Sequence, residues 1–60
     1  MKKSWMIKKV DVASRKMMFW NEDANQWTSD RTEGTRYCTS FMAMGCVPEI
    51  DEKKAFVCRI

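Results

Sequence analysis

The 60-residue sequence contains no histidine, one proline and two glycines, and its longest uninterrupted apolar runs are four residues. The most common general base is therefore absent, no glycine-rich phosphate loop is present, and a zinc site would need all three thiolates plus a carboxylate. A bilayer-spanning helix needs roughly 20 apolar residues, which no segment supplies. We therefore expect no enzyme, no bound metal, no cofactor and no membrane span.

The cysteines are few and unevenly spaced. Cys38, Cys46 and Cys58 are separated by 7 and 11 residues, which fits neither a paired disulfide framework nor a metal knuckle. We expect reduced thiols that act as small hydrophobes. Lys8 and Lys9 interrupt any apolar stretch after the basic start of the chain, so no signal peptide is predicted and a cytoplasmic location is expected.

The net charge of +3 is unevenly distributed along the chain. Residues 1–16 carry six basic side chains and one acid, whereas residues 17–37 carry four acids and two arginines. A basic end can attract nucleic acid or an acidic protein surface, although many charge runs are only solvated faces.

Alternation and turn residues predict three strands in the first half of the chain, at residues 4–11, 16–20 and 26–28. In the first strand Trp5 and Ile7 share one face. Asn21 and Asn25 bound the second turn, and either asparagine can adopt the left-handed conformation that a tight turn needs.

The second half predicts two short helical turns and a last strand. A capping-box pattern runs from Asp30 to Glu33 and ends at Gly34, and residues 35–38 are predicted to be extended. Residues 41–44 can form a helix that Thr39 or Ser40 caps and Gly45 ends, with Pro48 preventing continuation. Glu49, Asp51 and Glu52 suggest a solvated loop, and residues 54–60 alternate as a strand.

These elements predict a single α+β domain over residues 1–60, in which a small antiparallel sheet of three to five short strands carries one or two short helical turns. The predicted core consists of apolar side chains from most of these elements: Trp5, Ile7, Val10, Phe19, Trp27, Tyr37, Phe41, Val57 and Ile60.

Four segments together resemble a pattern found in very small β-rich proteins of bacteria and their phages: Trp5–Lys8, Met18–Asn21, Trp27–Asp30 and Thr35–Tyr37. The resemblance covers roughly residues 4–44. Gly34 replaces the alanine usual in that group, and the turn from Asn21 to Asn25 lacks the usual glycine. The resemblance implies a mobile-element accessory protein that binds and inhibits or modulates a host or defence protein, as anti-CRISPR and other anti-defence inhibitors do.

The residues themselves favour protein binding as the first functional hypothesis. Six methionines are many for this length, at least some should be exposed, and methionine adapts to irregular surfaces. Tryptophan and arginine dominate many interfaces. The predicted contact set is Met18, Trp20, Arg31 and Arg36. An unpaired edge strand that forms a homodimer would hide the same surface.

Two other binding hypotheses remain open. A single-stranded nucleic-acid-binding module would stack bases on exposed tryptophan and hold phosphates with lysines, using Lys2, Lys3, Trp5, Lys8, Lys9 and Lys16. A slot for a small signalling nucleotide between Trp20 and Arg36 is the third hypothesis.

Overall fold

A computed structural model describes residues 2–60 of the chain. Its sheet has four antiparallel strands in the order β3-β2-β1-β4. The strands are β1 (Trp5–Asp11), β2 (Lys16–Asn21), β3 (Gln26–Thr28) and β4 (Phe56–Arg59). One α-helix, α1 (Ser40–Gly45), and two 3₁₀ turns, Arg31–Glu33 and Glu49–Asp51, complete the fold. The predicted α+β class with a small antiparallel sheet is confirmed.

Both hairpin turns depend on a residue in the left-handed conformation. Arg15, with φ 59°, closes the turn between β1 and β2, and its N–H donates to Asp11 O over 2.6 Å. Asn25, with φ 53°, closes the turn between β2 and β3, as the asparagine prediction allowed. Asparagine tolerates this conformation more readily than arginine does.

Strand register assigns the side chains to two faces of the sheet. Ile7 lies opposite Val57, Lys9 opposite Met18, and Trp20 opposite Trp27. Because side chains alternate along a strand, one face carries Trp5, Ile7, Lys9, Met18, Trp20, Trp27, Val57 and Arg59. We call it the helix face, because α1 packs on it; the opposite face carries Met6, Lys8, Val10, Met17, Phe19, Phe56 and Cys58.

The core on the helix face is built around an aromatic pair, buried Trp20 and half-buried Trp27, and the inner side of α1. Ile7, Trp20, Tyr37 and Ala43 are its buried members. The indole rings of Trp20 and Trp27 lie 5.3 Å apart at a tilt of 59°, an arrangement that aromatic pairs favour.

A smaller core lies on the opposite face, below the first 3₁₀ turn. Met6 and Phe19 are buried there against Gly34. A Cβ atom at Gly34 would lie 2.7 Å from Met6 Cε and 3.0 Å from Phe19 Cβ, so only glycine allows this approach without a shift. Its φ of −66° is ordinary, and close packing rather than backbone conformation explains the glycine.

The predicted core list was wrong at three positions. Val10, Phe41 and Ile60 are exposed, whereas Met6 and Ala43, absent from the list, are almost fully buried. Val10 lies beyond the part of the opposite face that the first 3₁₀ turn covers, and Phe41 lies on the outer side of α1.

The caps and strand ends largely follow the predictions. Asp30 caps the first 3₁₀ turn by accepting from Thr32 N over 2.9 Å. The other half of the predicted capping box does not form, because the Asp30 N–H donates to Thr28 Oγ1 and the Glu33 carboxylate accepts from the same hydroxyl. Within residues 35–38 only Tyr37 pairs, in an isolated bridge with Trp5. The last strand is shorter than predicted. The loop predicted around residue 51 instead contains the second 3₁₀ turn.

Candidate protein-binding surface

The most exposed cluster of apolar side chains lies on α1. Thr39 starts this helix by accepting from Met42 N over 3.1 Å, as predicted for a capping residue. Ala43 faces the sheet and is buried, while Phe41, Met42 and Met44 are 84%, 52% and 65% exposed. At about 100° per residue these three span an outer arc of roughly 160°.

A groove runs along each side of the helix. On the β4 side the groove is lined by Met44, Val47, Glu52, Ala55, Phe56 and Val57. On the other side the lining includes Met42, Arg36, Tyr37, Cys46 and Lys3. Met42, Met44 and the fully outward Phe41 therefore form one continuous surface with exposed Arg36 at its margin. We call Phe41, Met42, Met44 and Arg36 the α1 surface.

The structure does not gather the four residues predicted to contact a partner. Trp20 is 8% exposed and packs in the core, so its ring cannot be a contact surface. Met18 is half-buried on the helix face, whereas Arg31 is exposed in the first 3₁₀ turn, which covers the opposite face. Only Arg36 lies beside the exposed apolar cluster. The expectation that some methionines are exposed is confirmed for Met17, Met42 and Met44.

The residues of the nucleic-acid hypothesis are also dispersed. Lys8 lies on the opposite face, with Nζ 5.7 Å from the centre of the Phe19 ring, while Trp5 is half-buried beneath Arg59 on the helix face. Lys2 and Lys3 precede β1, and Lys16 pairs with Asp11 at the far end of β1. The lysines therefore do not form a continuous basic surface beside an exposed tryptophan ring.

Lys9 is held within the fold. Its Nζ lies 3.0 Å from Asp51 Oδ1 and 4.6 Å from the centre of the Trp27 ring. The Trp27 indole donates to Asp51 Oδ2 over 2.9 Å. The Trp27 and Lys9 hydrogen bonds lower the pKa of Asp51. We call this contact of Lys9, Trp27 and Asp51 the clamp. No local pattern predicts it, because its three members are far apart along the chain.

Two polar atoms of the core have no hydrogen-bond partner among residues 2–60: Trp20 Nε1 and Tyr37 Oη. Burial is the largest cause of the raised pKa of both the Tyr37 hydroxyl and the Cys46 thiol.

The hypothesis of a nucleotide slot between Trp20 and Arg36 needs an accessible tryptophan ring. Because Trp20 is buried, no nucleotide base can stack on it beside Arg36.

The structure of residues 2–60 contains no cluster of three metal-binding side chains, and its cysteines are unpaired. None of the helices in this range has the length and apolar character that crossing a bilayer requires.

Comparisons of the chain with protein-family models, with curated proteins and with solved structures found no match.

Proposed function

We propose that this protein is a small, non-enzymatic protein-binding module that inserts the α1 surface into an apolar groove of a partner protein. The observation that carries the proposal is the exposure of Phe41, Met42 and Met44 on one six-residue helix. Contiguous exposed apolar patches with a polar margin are typical of protein interaction sites.

The chemistry of the α1 surface suits an anchor with adaptable neighbours. Phe41 supplies a rigid ring, the two methionines adjust to an irregular groove, and Arg36 can pair with a carboxylate at its edge. The Thr39 cap and buried Ala43 hold the helix before binding, which lowers the entropy lost on association.

In this proposal the partner is a host or defence protein of the cytoplasm, whose own binding groove the α1 surface occludes. The resemblance to small phage and bacterial proteins supports that choice of partner. Unpaired Cys38, Cys46 and Cys58 are compatible with a reducing compartment.

The test is capture of partners from host lysate with the tagged chain, after nuclease treatment and at low and high salt. Two matched double variants distinguish specific binding through the α1 surface from non-specific adsorption through exposed apolar side chains. Phe41→Ser with Met44→Ser changes the α1 surface, whereas Val12→Ser with Ile50→Ser changes two side chains that are 79% and 91% exposed elsewhere.

A discrete protein that resists nuclease and high salt, is lost with the α1 double variant and remains with the control supports the proposal. Equal capture by both variants contradicts it. Recovery of nucleic acid that high salt releases would instead indicate binding through the lysines.

A further inference from the structure

Strand β4 is an open edge of the sheet. Ile60 N–H donates to Ser4 O over 2.7 Å, and Ile7 lies opposite Val57. Hydrogen-bonded and non-bonded pairs alternate in an antiparallel ladder. Residues 56, 58 and 60 therefore bond toward β1, while the N–H and C=O groups of Val57 and Arg59 point away from the sheet.

Few of the features that usually prevent an edge strand from pairing with another chain are present in β4. β4 contains no proline, and Arg59 is its one charged residue. Within residues 2–60, β1 is the only strand that pairs with β4. Unpaired backbone groups on such an edge are a template for another strand.

We infer that β4 pairs antiparallel with β4 of a second copy of this chain, about a two-fold axis that passes beside Cys58. In the register that we infer, Val57 lies opposite Arg59 of the second copy, and Phe56 lies opposite Ile60 of the second copy. Cys58 then lies opposite Cys58 of the second copy, in a non-hydrogen-bonded pair.

This register makes the exposed apolar side chains self-complementary. Phe56 and Ile60 are 43% and 39% exposed in the single chain, and each covers the other across the axis. A register that placed Arg59 opposite its own copy would juxtapose like charges, which destabilises a cross-strand pair. A register centred on Val57 would leave Ile60 without an opposite residue within β4.

Charge complementarity favours a second copy as the occupant. Val57 and Glu52 line the groove between α1 and β4. In this register Arg59 of the second copy lies directly opposite Val57 on the helix face, which places its positive charge beside the groove that Glu52 lines. In the single chain the Arg59 guanidinium lies over its own Trp5 ring, 5.4 Å from the ring centre, so pairing with Glu52 requires it to leave that ring. The two-fold axis repeats this juxtaposition of opposite charges on the other side of the interface.

The dimer has a continuous eight-stranded sheet with both helices on the same side. Each Phe41 remains on the outer side of its helix, so the paired chains present two α1 surfaces in one direction. Such an arrangement allows bivalent binding. The dimer itself does not depend on whether the α1 surface binds a partner.

Cysteine cross-linking tests the register directly. In a non-hydrogen-bonded antiparallel pair the Cα atoms lie about 4.5 Å apart, which is within disulfide range. With Cys38→Ala and Cys46→Ala, only Cys58 remains, and diamide oxidation should give a dimer on a non-reducing gel. The matched Cys58→Ala variant, which retains the other two cysteines, should remain monomeric on that gel. Peptide mapping of the oxidised natural chain should identify the Cys58–Cys58 disulfide.

Light scattering during size-exclusion chromatography tests the edge without oxidant. Arg59→Pro removes an outward N–H that makes no bond within the sheet, whereas Arg59→Ala keeps it. Both variants should show the native circular dichroism spectrum. The proline variant should lose the dimer over the whole concentration range tested, whereas the alanine variant, which lacks only the Arg59 charge, should still form it at a higher concentration. A natural chain that is monomeric at every concentration and forms no Cys58 cross-link overturns the inference. A folded proline variant that remains dimeric also overturns it.

Discussion

Trp27 and Asp51 are 24 residues apart in sequence and joined by a 2.9 Å hydrogen bond from the indole nitrogen to Oδ2. Lys9 completes the contact by placing Nζ 3.0 Å from Oδ1 and 4.6 Å from the centre of the Trp27 ring. One carboxylate thus attaches the second 3₁₀ turn to two strands of the sheet. The segment that leads into β4 is fixed at this point.

Removing the Asp51 carboxylate should lower the free energy of unfolding. In Asp51→Ala the Trp27 N–H loses its acceptor, and an unpaired, partly buried donor costs about 1–3 kcal/mol. Asp51→Asn keeps an oxygen for Trp27 and loses only the ion pair, which should cost about 1 kcal/mol or less because both side chains are partly exposed. Urea denaturation of the three proteins measures the difference. Equal stability of the alanine variant and the natural chain would contradict the clamp.

The same carboxylate should make stability depend on pH in the acid range. The pKa of Asp51 is below its ordinary value in the folded chain, so the unfolded chain binds the proton first as pH falls. Its contribution is full above about pH 5 and is lost as the pH falls below about 4 toward the folded-state pKa. The stability gap between the natural chain and Asp51→Asn should shrink over that range in thermal melts. A constant gap would show that Asp51 has an ordinary pKa.

The two glycines should respond to alanine in opposite directions. Gly34→Ala forces a methyl group against Met6 and Phe19, and such overpacking costs about 1–3 kcal/mol. Gly45 ends α1 with no atom within 4 Å of an added Cβ, so Gly45→Ala should stabilise the chain by about 0.5–1 kcal/mol. Denaturation midpoints measure both effects. A stabilising Gly34→Ala change would disprove the close packing below the first 3₁₀ turn.

Arg15 should be a site where glycine stabilises the chain. Its φ of 59° costs a residue with a Cβ about 1–2 kcal/mol, while glycine adds about 0.5–1 kcal/mol of unfolded-state entropy. We expect a net gain of about 0.5 kcal/mol for Arg15→Gly. Ala13→Gly in the same turn has no left-handed strain to relieve, so it should destabilise the chain. The thermal midpoints of the two variants should therefore move in opposite directions.

The sequence predicts the first hairpins well because their signals are local. Alternation predicts a strand at 4–11, close to the observed Trp5–Asp11, and the third predicted strand matches the observed one at 26–28. Asn25 closes the second turn because its side chain tolerates positive φ. The cap at Thr39 follows from the same kind of short-range hydrogen bonding.

The candidate site could not be predicted in the same way. Trp20 and Phe41 look alike in sequence, yet Trp20 is buried and Phe41 is 84% exposed. Which ring is covered depends on where α1 crosses the sheet, and that is set by contacts between distant segments. The closely spaced Met42 and Met44, just after the predicted cap at Thr39, are the available sequence signal for the α1 surface.

Site-specific photocross-linking measures the binding site most directly. Benzoylphenylalanine at position 41 replaces a side chain of the α1 surface, and the same group at Ile50 is a control of comparable exposure on the second 3₁₀ turn. Irradiation in nuclease-treated host lysate should give one discrete protein adduct from position 41 and none from position 50. The same adducts from both positions, or none from position 41, would contradict the assignment of the α1 surface as the partner-binding site.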